Sequence, residues 1–224
     1  NTLTNNSATE SSVTPFVAGN TVSVALASSG TQNLSAVDAA SLKPTGNFTV
    51  ECWYIGTTAA LQVAFQSYSQ NTNIAGILFG VTAGSVVVID SGRNTGVVES
   101  TDYREIIGTV NVSNGTWNHL AGVYDGTNLG IYVNGVLDTQ GTWNQGAAYA
   151  VTNYVRVGCR NNTGTNINSV NGTMDEGRLW NTNRSASQLA DNRSIQLTGN
   201  EANLQAYWPF NSLRVISGLQ SKIW

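Results

Sequence analysis

The sequence predicts an all-β protein, a two-sheet antiparallel jelly-roll sandwich with one short helix. Apolar and polar residues alternate in short runs along most of the 224 residues, which is typical of half-buried strands of about four to eight residues. Gly, Asn, Asp and Ser cluster between these runs, as turns between the strands of a sandwich do at roughly ten-residue intervals. Only one segment has helical signals, so an alternating α/β fold is excluded.

The predicted elements follow one another from residue 21 to residue 195. The strands are Thr21–Leu26, Phe48–Ile55, Leu61–Tyr68, Ile77–Val81, Val86–Asp90, Gly108–Val112, His119–Tyr124, Leu129–Val133, Tyr154–Gly158 and Met174–Trp180. Asp125-Gly126 and Asn134-Gly135 predict tight hairpin turns, because Asn and Gly accept the positive φ that such turns need. Ser185, with Gln188 three residues later, predicts the start of the short helix over residues 185–195.

The chain is expected to have three parts. Residues 1–15 consist mainly of Thr, Asn, Ser and Ala and are predicted to form a polar arm or linker. Residues 16–211 form the jelly-roll domain. Residues 212–224 are an apolar tail, and an apolar tail on a polar protein calls for a partner or a groove. Because Asn1 is neither an initiator Met nor the start of a signal peptide, we expect a processed product or a segment of a longer chain.

The composition excludes two classes of partner. Charged residues make up 10 % of the chain and the formal net charge is −3, so the clustered basic residues that bind nucleic acid or an anionic membrane surface are missing. No apolar run is long enough to insert into a membrane. The surface must consist of Asn, Thr, Ser and Gly, which suggests an extracellular protein. Cys52 and Cys159 either pair or are two small buried apolar residues.

Four segments together resemble a known superfamily. They are Ser41–Trp53, Gly115–Ala121 with the following Tyr124-Asp125-Gly126, Leu129–Leu137, and Asn171–Asn181 with a later Leu204–Asn211. In this order and spacing they resemble the concanavalin A-like, laminin G-like jelly-roll superfamily, which also includes the pentraxins. The resemblance covers residues 22–211 and implies a concanavalin A-like sandwich. Among relatives of this fold are lectins, adhesion domains and glycoside hydrolases.

Catalytic groups are scarce in this sequence. His119 is the single histidine, and the resemblance places it in a strand motif where it packs and forms hydrogen bonds. The densest acidic cluster, Glu99, Asp102 and Glu105, lies in what reads as a loop, and its spacing alternates between the two faces of a strand. These residues therefore do not predict the paired carboxyl groups of a glycoside hydrolase. We expect a protein that is not an enzyme, with a hydrolase as the weaker alternative.

The resemblance also implies a calcium site. Many members bind calcium through the Asp that corresponds to Asp175, which makes Asp175 and Asn33 the candidate ligands here. The sequence departs from the family at the other end of that site, because Ser28-Ser29-Gly30 and Asn33 stand where relatives often carry carboxylates. Calcium affinity follows ligand charge, so this departure weakens the expected site. The alternative is that Asp175 only caps a turn through backbone N–H groups.

Two functions are compatible with these observations. The first is an extracellular carbohydrate-binding or adhesion module that binds a glycan or cell-surface polysaccharide. Its candidate contacts are Trp143, Asn144, Tyr149 and Tyr103, because sugars bind to aromatic rings and amide groups. The alternative for Trp143 is that its ring covers the edge of the sandwich. The second is a structural subunit of a virion, surface layer or filament, a homo-oligomer assembled through the N-terminal arm and the C-terminal tail.

Overall fold

The computed structural model describes residues 3–27, 32–70, 74–93, 95, 98–99, 101–149, 154–162 and 164–211. In chain order its first strands are β1 (Leu3–Asn6), β2 (Thr9–Ser11), β3 (Ser23–Leu26), β4 (Asn33–Ala36), β5 (Phe48–Gly56), β6 (Gln62–Gln70), β7 (Ile74–Val81), β8 (Val87–Arg93) and β9 (Tyr103–Ile107). They are followed by β10 (Asn118–Tyr124), β11 (Asn128–Val133), β12 (Val136–Thr142), β13 (Tyr154–Val157), β14 (Arg160–Asn162), β15 (Thr165–Ile167), β16 (Gly172–Trp180) and β17 (Leu204–Trp208). A 3-10 turn at Ala40–Leu42 and the helix α1 (Ala186–Asn192) complete the described elements.

Two large antiparallel sheets form the sandwich, which confirms the predicted fold class. The seven-stranded sheet has the order β1-β4-β13-β6-β7-β8-β9. The eight-stranded sheet has the order β12-β11-β10-β5-β16-β3-β2, with β17 paired to β16. Strands β14 and β15 form a separate hairpin. Neighbouring strands in each sheet are therefore often far apart in sequence, as in a jelly roll.

The core lies between the two sheets. Strand β5 supplies alternate residues Phe48, Val50, Cys52 and Tyr54, all of them buried. They belong to one continuous apolar cluster with Phe65, Phe79 and Ile89 of the seven-stranded sheet. Because successive strand residues point to opposite faces, the other half of each sheet's residues lies outside this core. On the eight-stranded sheet α1 covers part of that outer face, where Leu189 packs on Ala121 and Val123.

The predicted helix and hairpin turns are confirmed. Ser185 accepts a hydrogen bond from the backbone N–H of Gln188, while the Gln188 side chain accepts one from the Ser185 N–H, which is a complete capping box. Asn134 and Gly135 have φ of 54° and 83° between β11 and β12. Such a two-residue turn matches the twist of the strands that it connects.

Part of the segment expected to be a loose polar arm belongs to the sandwich. Strand β1 pairs with β4 at one edge of the seven-stranded sheet, and β2 pairs with β3 at one edge of the eight-stranded sheet. Leu3 is fully buried in the core. Residues 3–11 therefore connect the two sheets of this chain. The boundary at residue 15 stays a prediction, and the expected apolar tail at 212–224 lies outside the described residues.

One predicted strand is wrong and an unpredicted one lies beside it. Residues 108–112 form no strand, because the backbone N–H groups of Thr109 and Val110 donate to the carboxylate of Asp138 instead of to a neighbouring strand. The preceding residues Tyr103–Ile107, interpreted from sequence as loop, form β9 at the edge of the seven-stranded sheet. This correction matters because β9 carries Glu105.

The two cysteines do not pair. Cys52 and Cys159 are both free and buried, which selects the second of the two sequence-based alternatives. Burial raises the pKa of the Cys52 thiol to about 12 and that of Cys159 to about 11. Both side chains therefore act as small apolar residues.

Candidate functional site

Three polar residues and one leucine form a row across the strands on the outer face of the seven-stranded sheet. Gln66 on β6 is in register with Leu78 on β7, Leu78 with Asp90 on β8, and Asp90 with Glu105 on β9. Residues in register on neighbouring strands share a face. Asp90 and Glu105, referred to below as the carboxyl pair, are therefore direct cross-strand neighbours, with Cβ atoms about 4.5–5.5 Å apart.

An apolar patch with one aromatic ring adjoins this row. Val63, Leu78 and Val88 form a small cluster separate from the main core, and the half-buried Tyr103 packs against it. Tyr103 precedes Glu105 by two residues on β9, so both lie on the same face. Burial raises the pKa of the Tyr103 phenol, and the charges of Glu99, Glu105 and Asp90 raise it further. The phenol is thus surrounded by carboxyl groups.

The β14–β15 hairpin lies against the same face. The fully buried Gln66 joins it through two hydrogen bonds, because its Nε2 donates to the Asn161 carbonyl (2.9 Å) and its Oε1 accepts from the Asn161 N–H (2.6 Å). The Gln66 side-chain amide thus donates to and accepts from the hairpin backbone, as the backbone of a neighbouring strand would. Arg160, at the start of the hairpin, is close enough to Asp90 to lower the pKa of that carboxyl.

Burial dominates the chemistry of Asp90. It raises the pKa of Asp90 to about 8, the charges of Glu105 and Glu99 act in the same direction, and Arg160 acts against them. The side chain is 9 % exposed, and among the described residues its Oδ1 has no hydrogen-bond partner. Burial also raises the pKa of Glu105, as does the charge of Glu99. Asp90 is thus short of solvent and of donors, whereas its neighbour Glu105 is exposed.

The sequence-predicted aromatic contacts are distributed between surface and core. Tyr103 lies on the outer face just described. Trp143 is 2 % exposed, and its Nε1 donates to the Ser91 Oγ and the Gly146 carbonyl. Its ring therefore cannot stack on a sugar in this structure, which corrects the first of its two interpretations. Tyr149 is half-buried, and its hydroxyl donates to the Pro44 carbonyl.

Asn144 is exposed in the loop between β12 and β13. That loop joins the seven-stranded sheet where the Ala148 N–H donates to the Gly92 carbonyl. Gly92 is in register with Tyr103. The fold therefore brings the loop of Asn144 to the end of the sheet that carries Tyr103, although 41 residues of sequence separate the two positions.

The two expected calcium ligands lie in different sheets. Asp175 is fully buried in β16, where one carboxylate oxygen accepts from Asn20 (2.9 Å) and the other from the Glu176 N–H (2.8 Å). Asn33 is buried in β4, where its Oδ1 accepts from Asn6. Within the described residues no three His, Cys, Asp or Glu residues are grouped closely enough to hold a metal ion. Asp175 and Asn33 thus do not lie in one site, residues 28–30 of the expected site lie outside the described residues, and calcium binding stays a prediction.

A second buried ionic cluster lies on the other side of the sandwich. Glu51 is within 3.0 Å of His119 and 3.8 Å of Arg178, and it accepts a hydrogen bond from Trp180 (2.7 Å). All of these side chains are buried, beneath α1 and the residues that follow it. His119 is thus enclosed by this cluster, and a substrate cannot reach it in this structure.

Two further polar cavities lie away from the carboxyl pair. One of about 100 Å³ is lined by Asp125, Asn128, Tyr132, Gln140 and Arg184 on the eight-stranded sheet. The other, of about 280 Å³, is lined by Lys43, Thr45, Asn47, Asn181 and Gln205 among others. Each offers amide groups, and the first also offers one aromatic ring. They are the alternative positions for a sugar on this molecule.

Sequence comparison identifies one family. A family model described as the concanavalin A-like lectin/glucanases superfamily matches residues 28–190, more than half of the chain. Among proteins with curated descriptions, none matches the sequence. No helix in the described ranges is long and apolar enough to cross a membrane.

Solved structures with the same fold share little sequence with this chain. A Bacteroides ovatus protein to which carbohydrate binding has been ascribed has a TM-score of 0.61 and 16 % identity, over 97 % of this chain and 54 % of its own. The CBM40 domain of the Ruminococcus gnavus IT-sialidase, bound to α2,3-sialyllactose, has a TM-score of 0.57 and 15 % identity, over 68 % and 85 %. Domain 4 of an extracellular arabinanase from Geobacillus stearothermophilus, in complex with arabinotriose, has a TM-score of 0.58 and 16 % identity, over 84 % and 85 %. The chain thus spans about half the length of the first of these proteins.

Proposed function

The chain belongs to the concanavalin A-like lectin/glucanases superfamily, and on that premise we propose that it is a carbohydrate-binding module without catalytic activity. One observation supports this most: a half-buried tyrosine ring, Tyr103, lies on an apolar patch close to the carboxyl groups of Glu99, Glu105 and Asp90. Sugars bind where an aromatic ring meets a few polar groups that fix their orientation. We place the binding site on the outer face of the seven-stranded sheet.

Each group has a separate role in this proposal. The Tyr103 ring stacks on the apolar face of a sugar. The exposed Glu105 carboxylate accepts hydrogen bonds from sugar hydroxyl groups, and the loop that carries Asn144 lies at the same end of the sheet. The solved structures of the same fold that hold sialyllactose and arabinotriose are consistent with a glycan ligand.

The carboxyl pair does not act as a hydrolytic pair in this proposal. A retaining glycosidase needs two carboxyl groups about 5–5.5 Å apart, both at the scissile bond. Asp90 is only 9 % exposed and one of its oxygens is enclosed, so the two carboxyl groups cannot both flank a glycosidic bond. Incubation with a panel of β-glucans and arabinans should release no reducing sugar. Turnover that Asp90→Asn abolishes would contradict this part of the proposal.

Binding to a glycan array, followed by calorimetry on the best ligand, tests the site. Tyr103→Ala should weaken binding at least tenfold, because it removes the stacking surface, whereas Tyr103→Phe should retain most of the affinity. Val136→Ala, which changes an exposed residue on the other sheet, is the matched control. If Gln140→Ala abolishes binding and Tyr103→Ala does not, the sugar binds in the cavity on the eight-stranded sheet and our placement is wrong.

The location, the ligand source and the assembly state belong to the same proposal. We expect the module to act outside the cell or on a particle surface, on a glycan or cell-surface polysaccharide. Assembly as a homo-oligomer and calcium binding stay predictions. Light scattering after size-exclusion chromatography tests the assembly as a homo-oligomer. Thermal melting with calcium and with a chelator tests calcium binding, and the same melting temperature under both conditions would count against it.

A further inference from the structure

On the outer face of the seven-stranded sheet, some acidic residues have a cationic neighbour and one does not. Glu99 pairs with Arg104 at 3.1 Å, and Arg160 faces Asp90. Glu105 is exposed and, in the described part of the chain, has no side-chain hydrogen bond or ion pair. It lies directly across from Asp90, and two carboxyl groups in that position repel each other when both are ionised.

The second member of the carboxyl pair also lacks a donor. Asp90 is more than nine-tenths buried and faces Glu105 across the strands, and its Oδ1 has no hydrogen-bond partner in the part of the chain that the structure describes. An enclosed carboxyl oxygen without a donor is costly. The groups that face Asp90 are Glu105 and Tyr103 on β9, Glu99 in the loop before it, and Arg160 on the hairpin. Arg104 pairs with Glu99 and Arg160 faces Asp90, so among the described residues Glu105 has no cation of its own.

A primary ammonium group fits this arrangement better than a metal ion does. It carries one positive charge and three N–H donors, which is enough to bond to both members of the carboxyl pair. Calcium would need several more oxygen ligands than two carboxyl groups supply. We propose that the carboxyl pair binds the primary ammonium of an amino sugar, so that the ligand is a glycan with unacetylated hexosamine units. This inference rests on the proposed function and specifies its ligand.

The position of Tyr103 favours an amino sugar over a lysine side chain. Tyr103 and Glu105 are two residues apart on one strand, about 7 Å along the sheet. A hexosamine carries its ammonium group directly on the sugar ring. A ring stacked on Tyr103 can therefore place its nitrogen within reach of Glu105. A lysine side chain has no flat ring face and would use only the carboxyl groups. An acidic sugar such as sialic acid would be repelled.

Calorimetry with three matched β-linked tetramers tests the inference. They consist of glucosamine, N-acetylglucosamine and glucose, and differ only at the second carbon of each ring. At pH 6 the glucosamine tetramer should bind at least tenfold more tightly than the other two. Glu105→Gln should reduce that ratio to about one. Asp191→Asn, which removes an exposed charge from α1 on the opposite sheet, should leave the ratio unchanged.

Several outcomes would overturn the inference. An N-acetylglucosamine or glucose tetramer that binds as tightly as the glucosamine tetramer would do so, as would an unchanged ratio in Glu105→Gln. Binding of a lysine tetrapeptide without binding of the glucosamine tetramer would reject the sugar as the source of the amine. Binding of sialyllactose or arabinotriose alone, lost in Tyr103→Ala, would reject the amino sugar but leave the proposed function standing. Absence of glycan binding altogether would reject both.

Discussion

Glu51 shows how a single side chain can hold a buried ionic cluster together. Burial alone raises the pKa of this carboxyl, but the hydrogen bond and charge of His119 outweigh it, together with Arg178 and Trp180, and hold the pKa at about 2. The same neighbours would be left without their anion if the charge were removed. Removal of one partner from a buried ion pair costs more than the pair itself contributes.

We therefore predict that Glu51→Gln lowers the free energy of unfolding by about 3–5 kcal/mol at pH 7, measured by denaturant titration. The native pKa is below the ordinary value of 4.5 for a glutamate, so this contribution is complete above pH 4.5 and is lost as the pH falls through about 2. The difference between variant and wild type should shrink over that range. The exposed Asp191→Asn is the control, and a Glu51→Gln protein of wild-type stability would contradict the prediction.

Asp90 should have the opposite dependence on pH. Its native pKa of about 8 lies above the ordinary value of 3.8 for an aspartate, so the fold disfavours the ionised form. The destabilisation caused by this buried carboxyl is absent below pH 3.8 and complete above pH 8. Asp90→Asn should therefore gain stability relative to wild type as the pH rises from 5 to 8, by roughly 1–3 kcal/mol. Melting temperatures measured across this range test the prediction, and a constant difference would contradict it.

The sequence indicated which residue types could contact a ligand, but it was less reliable about whether their side chains lie on the surface or in the core. Tyr103 was identified because an aromatic residue among polar neighbours suggests a sugar contact. Trp143 has the same signature but fills the core, because its polar neighbours are turn residues around a buried ring. Asp90 was not identified at all. The one available signal was a carboxylate at the end of the apolar run Val86–Ile89.

At the scale of elements, the β14–β15 hairpin depends on one glutamine of the sheet beneath it. Both hydrogen bonds that join Gln66 to Asn161 are buried. Gln66→Ala should leave the Asn161 backbone without partners, at a cost of about 1–3 kcal/mol for each group, unless the hairpin lifts away. We expect amide exchange in residues 160–167 to accelerate at least tenfold. Gln145→Ala, in an exposed loop, is the control, and unchanged exchange would contradict this role of Gln66.

Long alternating strands were predicted correctly and short edge strands were not. Strand β5 has a strong pattern of aromatic and β-branched residues and its bounds differ by one residue from those predicted. Strands β1, β2, β14 and β15 are three or four residues long and polar. In such strands the pairing partner decides the conformation, and a sequence pattern does not contain the partner.

At the scale of the molecule, residues 3–11 close an edge of each sheet. Deletion of residues 1–11 should expose the unpaired edges of β4 and β3, and exposed edges pair with other chains. We predict that the shortened chain forms dimers or larger species in light scattering, beyond any formed by the full chain. Assembly through an N-terminal arm predicts the reverse, loss of oligomers. Leu3→Ala in the full chain is the control: it should lower stability by about 2–5 kcal/mol without new oligomers.

The architecture was predictable because four separated segments had the composition, order and spacing of one superfamily. The candidate site was not, since it depends on which strands become neighbours. Asp90 and Glu105 are aligned only because β9 exists, and β9 was interpreted as a loop. Arg160 and Asn161 reach the same face through a hairpin whose short polar strands carry no clear pattern. The fold thus followed from local patterns, and the site from long-range pairing.

The place of β5 in its sheet has a consequence for biosynthesis. Its two neighbours are β10 and β16, residues 118–124 and 172–180. At a ribosome speed of about 5–20 residues per second, this largely apolar strand waits on the order of ten seconds for its second neighbour. During that interval one of its edges is open to other nascent chains. Production of this protein should therefore benefit from slower initiation, lower temperature or a chaperone that shields β5.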